Sequence, residues 1–500
     1  MYLHMVYQAL TAMGIVVLGL LGLLLLFAVV FYMSDVLQRK HAIRHNYPLI
    51  GRFRAWFEYL GAFFRQYFFA MDREEMPFNR AQREWVYKAA KNVDTTSAFG
   101  STRDLSPVGS IFFVNCPFPA LEEDAEPIRS IVIGADCAHP FAASSPFNIS
   151  GMSYGALSKV AVLALSKGAA QAGCWMNTGE GGLSPYHLEG GADLVFQIGT
   201  AKYGVRDKDG HLSDEKLREI AAHKQVKMFE IKLSQGAKPG KGGMLPAAKV
   251  SEEIAAIRGI EVGTDSISPN RHVDIDSSDD ILDMIERVRR VTGKPVGIKW
   301  VLGGCNVLDG FFEAIQQRGL SSAPDFITLD SADGGTGAAP QALMDYVGMP
   351  ISESLPMLVN HLVGYGLRER IKVVSSGKLI TPADVAWALA MGSDFVVSAR
   401  GFLFSLGCIQ ALQCNKNTCP TGITTHNPRL QSGLDPEDKS VRVAHYAEHM
   451  LHEVGMIAHA CGVREIRGLK RHHVRRVDAH GRSVSMASVF PDTVNGKPHG

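Results

Sequence analysis

The pattern of apolar and polar positions divides the chain into two parts of different kinds. Residues 1–34 contain no Asp, Glu, Lys or Arg, and residues 12–33 are almost wholly apolar. As a helix, residues 12–33 would reach about 33 Å, enough to cross the hydrocarbon core of a bilayer. From about residue 145, short β-branched and aromatic runs alternate with helical stretches, which predicts parallel strands joined by helices.

The apolar start fits either a cleaved signal peptide or a retained anchor. A signal peptide needs a charged start, a short apolar core and small residues at its cleavage site. This segment starts uncharged, has a long core and ends in Phe31, Tyr32 and Met33. We therefore expect a transmembrane anchor over residues 1–34. Arg39 and Lys40 follow it directly, which places the body of a single-pass cell-membrane protein in the cytoplasm.

Residues 35–100 are expected to form a helical juxtamembrane segment. Aromatic residues are concentrated there, at Trp56, Phe57, Tyr59, Phe63, Phe64, Tyr67, Phe68 and Phe69. A helical pair that covers the following domain explains them and is the preferred interpretation. The alternative is a segment that lies on the membrane surface, with its aromatic residues in the interface.

The alternating region predicts an α/β fold, a (β/α)8 TIM barrel within residues 101–470. The candidate strands are residues 147–150, 175–177, 194–198, 228–233, 266–268, 296–301, 326–330, 373–375 and 395–398. That is one strand too many for this barrel, so one of the shortest should belong to an insertion. Nearly every run ends in a Gly-, Ser- or Asp-rich block, where barrel enzymes place their active sites.

Three cysteines stand close together in residues 401–425. Five residues separate Cys408 from Cys414, four separate Cys414 from Cys419, and Pro420 follows. Structural zinc needs four ligands, usually in closely spaced pairs, so three thiolates fit an iron–sulfur cluster better, and a 3Fe-4S cluster best. Three buried thiols on a core helix remain the alternative at this point.

Six blocks in order resemble the FMN-binding synthase domain of glutamate synthase, over about residues 100–470. They are Gly-Met-Ser-Tyr-Gly-Ala-Leu-Ser at 151–158, Asn-Thr-Gly-Glu-Gly-Gly at 177–182, Lys-Leu-Ser-Gln-Gly-Ala-Lys-Pro-Gly-Lys-Gly-Gly at 232–243, Ser-Pro at 268–269 with His272 and Asp274, Asp-Gly-Gly-Thr-Gly at 333–337, and the cysteine run. The resemblance implies an FMN barrel with an iron–sulfur cluster on Cys408, Cys414 and Cys419.

An FMN barrel needs a site for the phosphate, commonly in the loops after its last two strands. Ser376, Gly377, Arg400 and Gly401 occupy those loops, although two ordinary tight turns would look the same. Lys232 and Lys299 end apolar strands, where a buried lysine needs a ligand, an acidic partner or water. The other expected cofactor contacts are Met152, Ser153, Tyr154, Gln197, Asp333, Gly334 and Gly335.

The resemblance assigns the substrate site to Glu180, Lys238 and Arg258. The two cations would each bind one carboxylate of 2-oxoglutarate, and Glu180 would position the amine or handle its proton. A surface helix position is the competing explanation for Arg258. The family commonly has glutamine in place of Met244, and an acidic residue with two glycines in place of Ser-Ser-Gly at 375–377. The difference at Met244 affects contacts with the substrate. The difference at 375–377 affects contacts with the ribityl chain of FMN.

The implied activity is that of an oxidoreductase acting on CH–NH2 donors. A 2-oxo acid and ammonia would give a 2-imino acid that reduced FMN converts to an amino acid, with electrons arriving through the cluster. The sequence shows no amidotransferase domain and no Gly-x-Gly-x-x-Gly after a strand, so nitrogen and electrons should come from elsewhere: ammonia or an amine, and a partner protein or the membrane pool. Action on another amino or hydroxy acid, or a non-catalytic electron-transfer role, are the alternatives.

Composition limits the partners and the cellular compartment that the chain can be expected to have. Lys and Arg total 51 against 50 Asp and Glu, which gives no reason to expect a nucleic-acid partner. Eight cysteines in 500 residues do not make a secreted disulfide scaffold, so a reducing compartment is expected. After the cysteine run, residues 436–461 have the pattern of an amphipathic helix. Residues 471–500 are expected to be a basic C-terminal tail whose last twenty residues are loose.

Overall fold

The chain divides after Ala81 into two units, which are described separately. The computed structural model describes residues 1–492. The first unit contains the helices α1 (Tyr2–Leu37), α2 (Ala42–Asn46) and α3 (Ile50–Phe64), followed by a π turn at Arg65–Phe69. The apolar window of α1 has a mean hydropathy of 3.0 and none of it is buried, so its length and composition suit a membrane span.

The second unit is built on a closed barrel of eight parallel strands. In chain order they are β1 (Phe147–Ile149), β2 (Met176–Asn177), β3 (Leu194–Ile198), β4 (Val226–Lys232), β5 (Val296–Trp300), β6 (Phe326–Asp330), β7 (Lys372–Ser376) and β8 (Phe395–Ser398). Each strand pairs with its sequence neighbours, and β8 pairs with β1, where Val397 stands opposite Asn148. The predicted TIM barrel is therefore confirmed.

The surplus candidate strand belongs to an insertion between β4 and β5. Ser266–Ile267 pairs antiparallel with Met244–Leu245 and lies outside the barrel. Its pairing partner is another strand of the insertion rather than a barrel strand, and Ile267 is exposed. The other eight candidates correspond to the eight barrel strands.

Helices surround the barrel and join its strands. They are Lys159–Ala172, Pro185–Glu189, Asp214–Ala222, Glu252–Arg258, Ser278–Thr292, Asn306–Arg318, Gln341–Tyr346, Ile351–Gly364, Pro382–Ala390, Arg400–Ser405, Pro428–Gln431 and Pro436–Ala460, with Arg80–Ala90 preceding the barrel. The last long helix confirms the amphipathic pattern expected at 436–461 and packs against Lys159–Ala172. Side chains with a period of 3.6 residues bury one face of each such helix against its neighbours.

An antiparallel hairpin, Ile131–Ile133 with Phe141–Ala143, contributes to the apolar core inside the barrel. Its Ile133 and Ala143 are buried with Met228 and Phe326, which stand near the amino ends of their strands. Apolar side chains thus fill the amino-terminal half of the barrel. Polar chemistry is left to the carboxyl ends of the strands, where the Gly-rich blocks begin.

The basic C-terminal tail contains strands and a helix, so the expectation that its last twenty residues are loose is wrong for residues 483–489. Val474–Val477 pairs with both Ile111–Phe113 and Ser483–Ser485 in a three-stranded antiparallel sheet, and a short helix follows at Met486–Val489. Val474 and Val477 are buried, while the two arginines between them are at least partly exposed. Because this segment is rich in basic residues, its sequence did not indicate a strand with one buried side. Residues 493–500 of the expected tail lie outside the described residues.

Candidate active site

Three Gly-rich blocks from different strands converge on the carboxylate of Glu180. Glu180 follows β2 in the block at 177–182. A Cβ atom on Gly199, after β3, would lie 2.5 Å from the Cβ of Glu180, and one on Gly243 would lie 2.6 Å from its Oε1. Any larger residue at either position would displace the carboxylate, so these glycines provide the space that Glu180 occupies.

Lys232, at the end of β4, is the direct partner of Glu180. Its Nζ donates to Glu180 Oε1 at 2.7 Å and to Gln235 Oε1 at 2.5 Å. Burial raises the pKa of Glu180, but the positive charges of Lys232, Lys238 and Arg258 outweigh it and lower this pKa overall. Glu180 is therefore an ionised carboxylate at neutral pH. Lys232, which was expected to contact the flavin, therefore also lies among the residues expected to bind the substrate.

Lys238 and Arg258 are both buried near this ion pair. Burial first, and repulsion by Lys232 second, lower the pKa of Lys238 to about 8. Arg258 donates to Ser266 Oγ at 3.1 Å and to the Tyr154 carbonyl at 3.3 Å. The interpretation of Arg258 as a surface helix residue is wrong, because its side chain turns into the protein from the last turn of Glu252–Arg258.

The Nε of Arg258 is buried without a hydrogen-bond partner among the described residues. An unpaired buried guanidinium nitrogen is unfavourable unless a ligand completes its hydrogen bonding. With Lys238 and Lys232 nearby, the group carries an excess of positive charge over the single carboxylate of Glu180. The arrangement suits an anionic ligand such as a carboxylate.

The inside of the barrel holds a second polar group, centred on Glu230, that sequence reasoning missed. Its Oε1 accepts hydrogen bonds from Asn177 at 2.8 Å and Gln197 at 2.6 Å, and its Oε2 accepts one from Thr328 at 2.5 Å. The available signal was a carboxylate inside the apolar strand β4, which must be paired when buried. The amide nitrogen of Gln197, expected at the flavin ring, is directed at Glu230.

Lys299, at β5, forms an ion pair with Asp330 at the end of β6, with 3.3 Å between Nζ and Oδ2. Burial lowers the pKa of Lys299, but Asp330 and Glu230 outweigh that effect and raise it. The side chain lines a small cavity inside the barrel with Asn177 and Glu230. A permanently protonated lysine there can stabilise negative charge on a bound group.

The residues after β1 divide between two environments. Met152 is buried. Gly179 packs against the backbone of Ser153, because a Cβ atom on Gly179 would lie only 2.5 Å from the Ser153 nitrogen. The hydroxyl of Tyr154 donates to Glu253 at 2.5 Å. Burial and this hydrogen bond raise the pKa of Tyr154, so its phenol stays protonated. Of the three expected contacts, Tyr154 thus has its polar end committed to Glu253.

The loops after β6, β7 and β8 form a close-packed cradle. A Cβ atom on Gly377 would clash with Ser331, and one on Gly401 would clash with the hydroxyl of Tyr446. Arg400 reaches across to donate to the carbonyl of Thr336.

The neighbouring expected positions take part in the same cradle. A Cβ on Gly335 would lie 3.2 Å from Arg400 Nε, and one on Gly334 would lie 2.9 Å from the Ser331 carbonyl. Asp333 pairs with Lys378 at 3.1 Å, and Ser376 is buried at the end of β7. Small residues and an adjacent arginine are the chemistry that a phosphate site requires, so this cradle fits the phosphate of a flavin nucleotide.

The cysteine run is a loop rather than a core helix, so that alternative is wrong. The helix Arg400–Ser405 ends before Cys408, Cys414 lies in a turn, and Cys419 lies outside any helix or strand. Burial raises the pKa of Cys408 to about 11, and the nearby thiols of Cys414 and Cys419 contribute to that increase. The three thiols are therefore close enough to interact.

Two side chains from outside the run hold this loop. Tyr87 Oη donates to the Cys408 carbonyl at 2.6 Å, and Lys249 Nζ donates to the Cys414 carbonyl at 3.0 Å. Within residues 1–492, no three His, Cys, Asp or Glu side chains are grouped tightly enough to hold one metal ion. The ligands of an iron–sulfur cluster bind different iron atoms and so stand farther apart than those of a single ion. The thiols and the fixed loop fit a cluster better than a single ion.

Comparisons with known proteins agree with this geometry. A family described as a conserved region in glutamate synthase matches residues 118–464. The chain is 41% identical over 497 residues to the glutamate synthase large subunit-like protein YerD of Bacillus subtilis, covering 92% of this chain and 94% of that protein. It is 33% identical over 375 residues to the archaeal-type glutamate synthase (NADPH) of Thermotoga maritima, covering 74% and 70%.

The archaeal glutamate synthase (NADPH) of Methanocaldococcus jannaschii is 34% identical over 373 residues, covering 74% of this chain and 69% of that protein. Among solved structures, a mandelate oxidase aligns with 73% of this chain at 17% identity and a TM-score of 0.44, too distant to inform the site. Barrel, site and relatives define the class as a glutamate synthase-like oxidoreductase. The chain belongs to the glutamate synthase family.

Proposed function

We propose that this protein is a glutamate synthase-type flavoprotein that converts 2-oxoglutarate to glutamate by reductive amination. The observation that carries the proposal is the grouping of Lys232, Lys238 and Arg258 around Glu180 at the carboxyl ends of the barrel strands. A dicarboxylic 2-oxo acid needs cations for both of its carboxylates, and this group supplies them. Relatives named glutamate synthases support the same reaction.

FMN, when bound, would supply the hydride for the reduction. Its phosphate would be held by the cradle of Ser376, Gly377, Arg400 and Gly401, and its ring would lie near Lys299 at the barrel interior. The protonated Lys299 would stabilise negative charge there. The apolar amino-terminal half of the barrel excludes water from below this site.

The substrate residues have separate tasks. Lys238 and Arg258 would bind and orient the carboxylates, with the unpaired Arg258 Nε available for a hydrogen bond. Glu180 is held ionised by Lys232, so it can accept a proton from the incoming amine or ammonium at neutral pH.

A 3Fe-4S cluster on Cys408, Cys414 and Cys419 would deliver the electrons. Three thiolates are too few to complete a four-iron site without a ligand from elsewhere. The electron donor would be a partner protein or the membrane pool, and nitrogen would arrive as ammonia or an amine. The α1 helix would anchor the chain in the cell membrane, with the second unit in the cytoplasm.

A second candidate function retains the cofactors but changes the substrate to another amino or hydroxy acid. The favouring observation is Met244, which follows Gly243, the glycine packed against Glu180, and whose side chain is 44% exposed. A thioether offers only weak hydrogen bonding to a substrate at this position. Met244→Gln separates the candidates: improved kcat/KM for 2-oxoglutarate supports the first, and an unchanged or lower value supports the second.

The test uses the full chain in detergent under anaerobic conditions. The protein is reduced with dithionite, then mixed with 2-oxoglutarate, with ammonium or with both, and flavin reoxidation and glutamate formation are followed. Reoxidation that needs both additions and yields glutamate is the expected result. A flavin that ignores both additions but reacts with another 2-oxo acid supports the second candidate. One that reacts with no substrate indicates an electron-transfer subunit, and absence of flavin in folded protein contradicts the proposal.

A further inference from the structure

The helix α3 carries an aromatic face that the first unit itself does not bury. Phe53, Trp56, Phe57, Phe63 and Phe64 of α3, with Tyr67 in the π turn that follows, are 41–60% exposed. At about 100° per residue these positions occupy an arc of roughly 120°. So large a contiguous aromatic surface marks an interaction site rather than ordinary surface.

Charged side chains lie on a different side of α3 from the aromatic face. Arg54 pairs with Glu58 at 3.3 Å, one helical turn apart, and Arg65 follows on the same side. Both side chains of this pair are largely exposed. A helix with one aromatic and one charged face is suited to a boundary between apolar and aqueous phases.

The start of α3 is fixed to the end of α1. Asp35 is buried, and its Oδ2 accepts hydrogen bonds from Arg52 Nε at 2.8 Å and from the Leu49 backbone at 3.1 Å. The Arg52 guanidinium also lies 4.5 Å from the centre of the Phe31 ring. Because α1 has the length of a membrane span, this joint places the beginning of α3 at the membrane surface.

Charge indicates which surface α3 contacts. Residues 36–71 contain six Lys or Arg and a single acidic residue, Glu58. Basic side chains beside a span are attracted to anionic headgroups, and Trp and Tyr favour the interface. A protein partner would need a strongly acidic surface beside an aromatic-binding groove, whereas an anionic bilayer offers both properties at once.

We propose that Ile50–Phe69 lies in the plane of an anionic lipid bilayer, with its aromatic face toward the acyl chains and Arg54 and Arg65 toward the headgroups. The membrane attachment then has two elements, the span α1 and the in-plane helix α3, joined rigidly through Asp35. The inference concerns the first unit and holds whichever substrate the barrel accepts.

The test uses the intrinsic fluorescence of Trp56. The full chain is placed in single-copy nanodiscs of phosphatidylcholine and phosphatidylglycerol, with acyl chains brominated near the headgroup or near the chain end. An interfacial helix lies about 5–10 Å deep, so bromine near the headgroup should quench more strongly. Trp56→Phe keeps the aromatic face and should lose most of this quenching, since the other four tryptophans lie in the second unit.

Three outcomes overturn the proposal. Equal quenching of the native chain and Trp56→Phe means that Trp56 does not contact lipid. Protection of Trp56 from iodide only in discs that hold two copies means that a second copy of the chain covers it. Release of the native chain from vesicles by alkaline washing means that neither α1 nor α3 attaches the protein to the membrane. Weaker quenching of Trp56 in purely phosphatidylcholine discs than in anionic discs would further support the proposed role of the arginines.

Discussion

The ammonium group of Lys232 lies 2.7 Å from the carboxylate of Glu180, although the two residues are 52 positions apart in the chain. This pair joins the carboxyl ends of β2 and β4 across β3. Lys238 and Arg258 add two further positive charges that act on the same carboxylate. The site is therefore held ready for an anion, and the substitutions below test this.

Glu180→Gln removes the carboxylate but keeps its size. We expect turnover in the anaerobic assay to fall by on the order of 10²–10⁴-fold, the usual loss with a general acid–base group. Flavin content should stay unchanged. The control is Glu437→Gln, an exposed carboxylate that pairs with Lys167 and should behave as the native protein. Native turnover in Glu180→Gln would remove Glu180 from the mechanism.

Lys238 should make substrate binding pH-dependent. Its pKa of about 8 means that it is charged below pH 8 and loses its charge above that value. Affinity for 2-oxoglutarate, followed as a perturbation of the flavin spectrum, should therefore fall above pH 8, approaching tenfold per pH unit. Lys238→Arg stays charged and should show a flat profile over this range. An identical fall in both proteins would assign the titration to another group.

Lys299→Met should destabilise the barrel because it leaves Asp330 buried without its cation. Loss of one partner of a buried pair costs about 3–5 kcal/mol, although Asp330 retains a hydrogen bond from the Gly236 backbone at 2.9 Å. Chemical denaturation measures the change. Lys372→Met, at the amino end of β7, removes only a hydrogen bond to a carbonyl and should cost about 1 kcal/mol or less. Equal losses in both variants would contradict a buried ion pair.

Serine at any one of Cys408, Cys414 or Cys419 should reduce the iron and acid-labile sulfide content of the purified protein. The thiolate is the cluster ligand, and a hydroxyl is a poor replacement. Cys461→Ser provides the control, because Cys461 is buried like Cys419 but lies outside the run. Iron that persists in all three run variants, or falls equally in Cys461→Ser, would exclude the run as the cluster site.

Tyr87→Phe should loosen the cysteine loop without removing a ligand. It deletes the 2.6 Å hydrogen bond to the Cys408 carbonyl but keeps the ring, which packs edge-on against Phe404. A hydrogen bond of about 0.5–1.5 kcal/mol corresponds to iron release to a chelator that is roughly two- to tenfold faster. Tyr365→Phe, which loses a 3.0 Å bond to Asp309, should release iron at the native rate. Native protein without iron would refute the cluster itself, whereas equal rates would refute only the role of Tyr87.

The sequence was sufficient to identify the barrel. Eight of nine candidate strands are barrel strands, because buried parallel strands leave short β-branched runs that end in Gly-rich loops. It could not identify Ser266–Ile267 as the extra one, since pairing partners are a property of the folded chain. The C-terminal strands were missed for a related reason: their arginines dominate the composition, while burial depends on which side faces the protein.

By itself the sequence determined the residue types of the site, their order along the chain and the family resemblance they carry. Only the tertiary structure decided that Lys232 contacts Glu180, that Arg258 is buried, and that Glu230 gathers Asn177, Gln197 and Thr328 inside the barrel. The physical reason is that strand chemistry is local whereas charge pairing is not. The burial of an apolar strand can be predicted from its own residues. The partner of a lysine or carboxylate is decided only when barrel closure brings distant strand ends together.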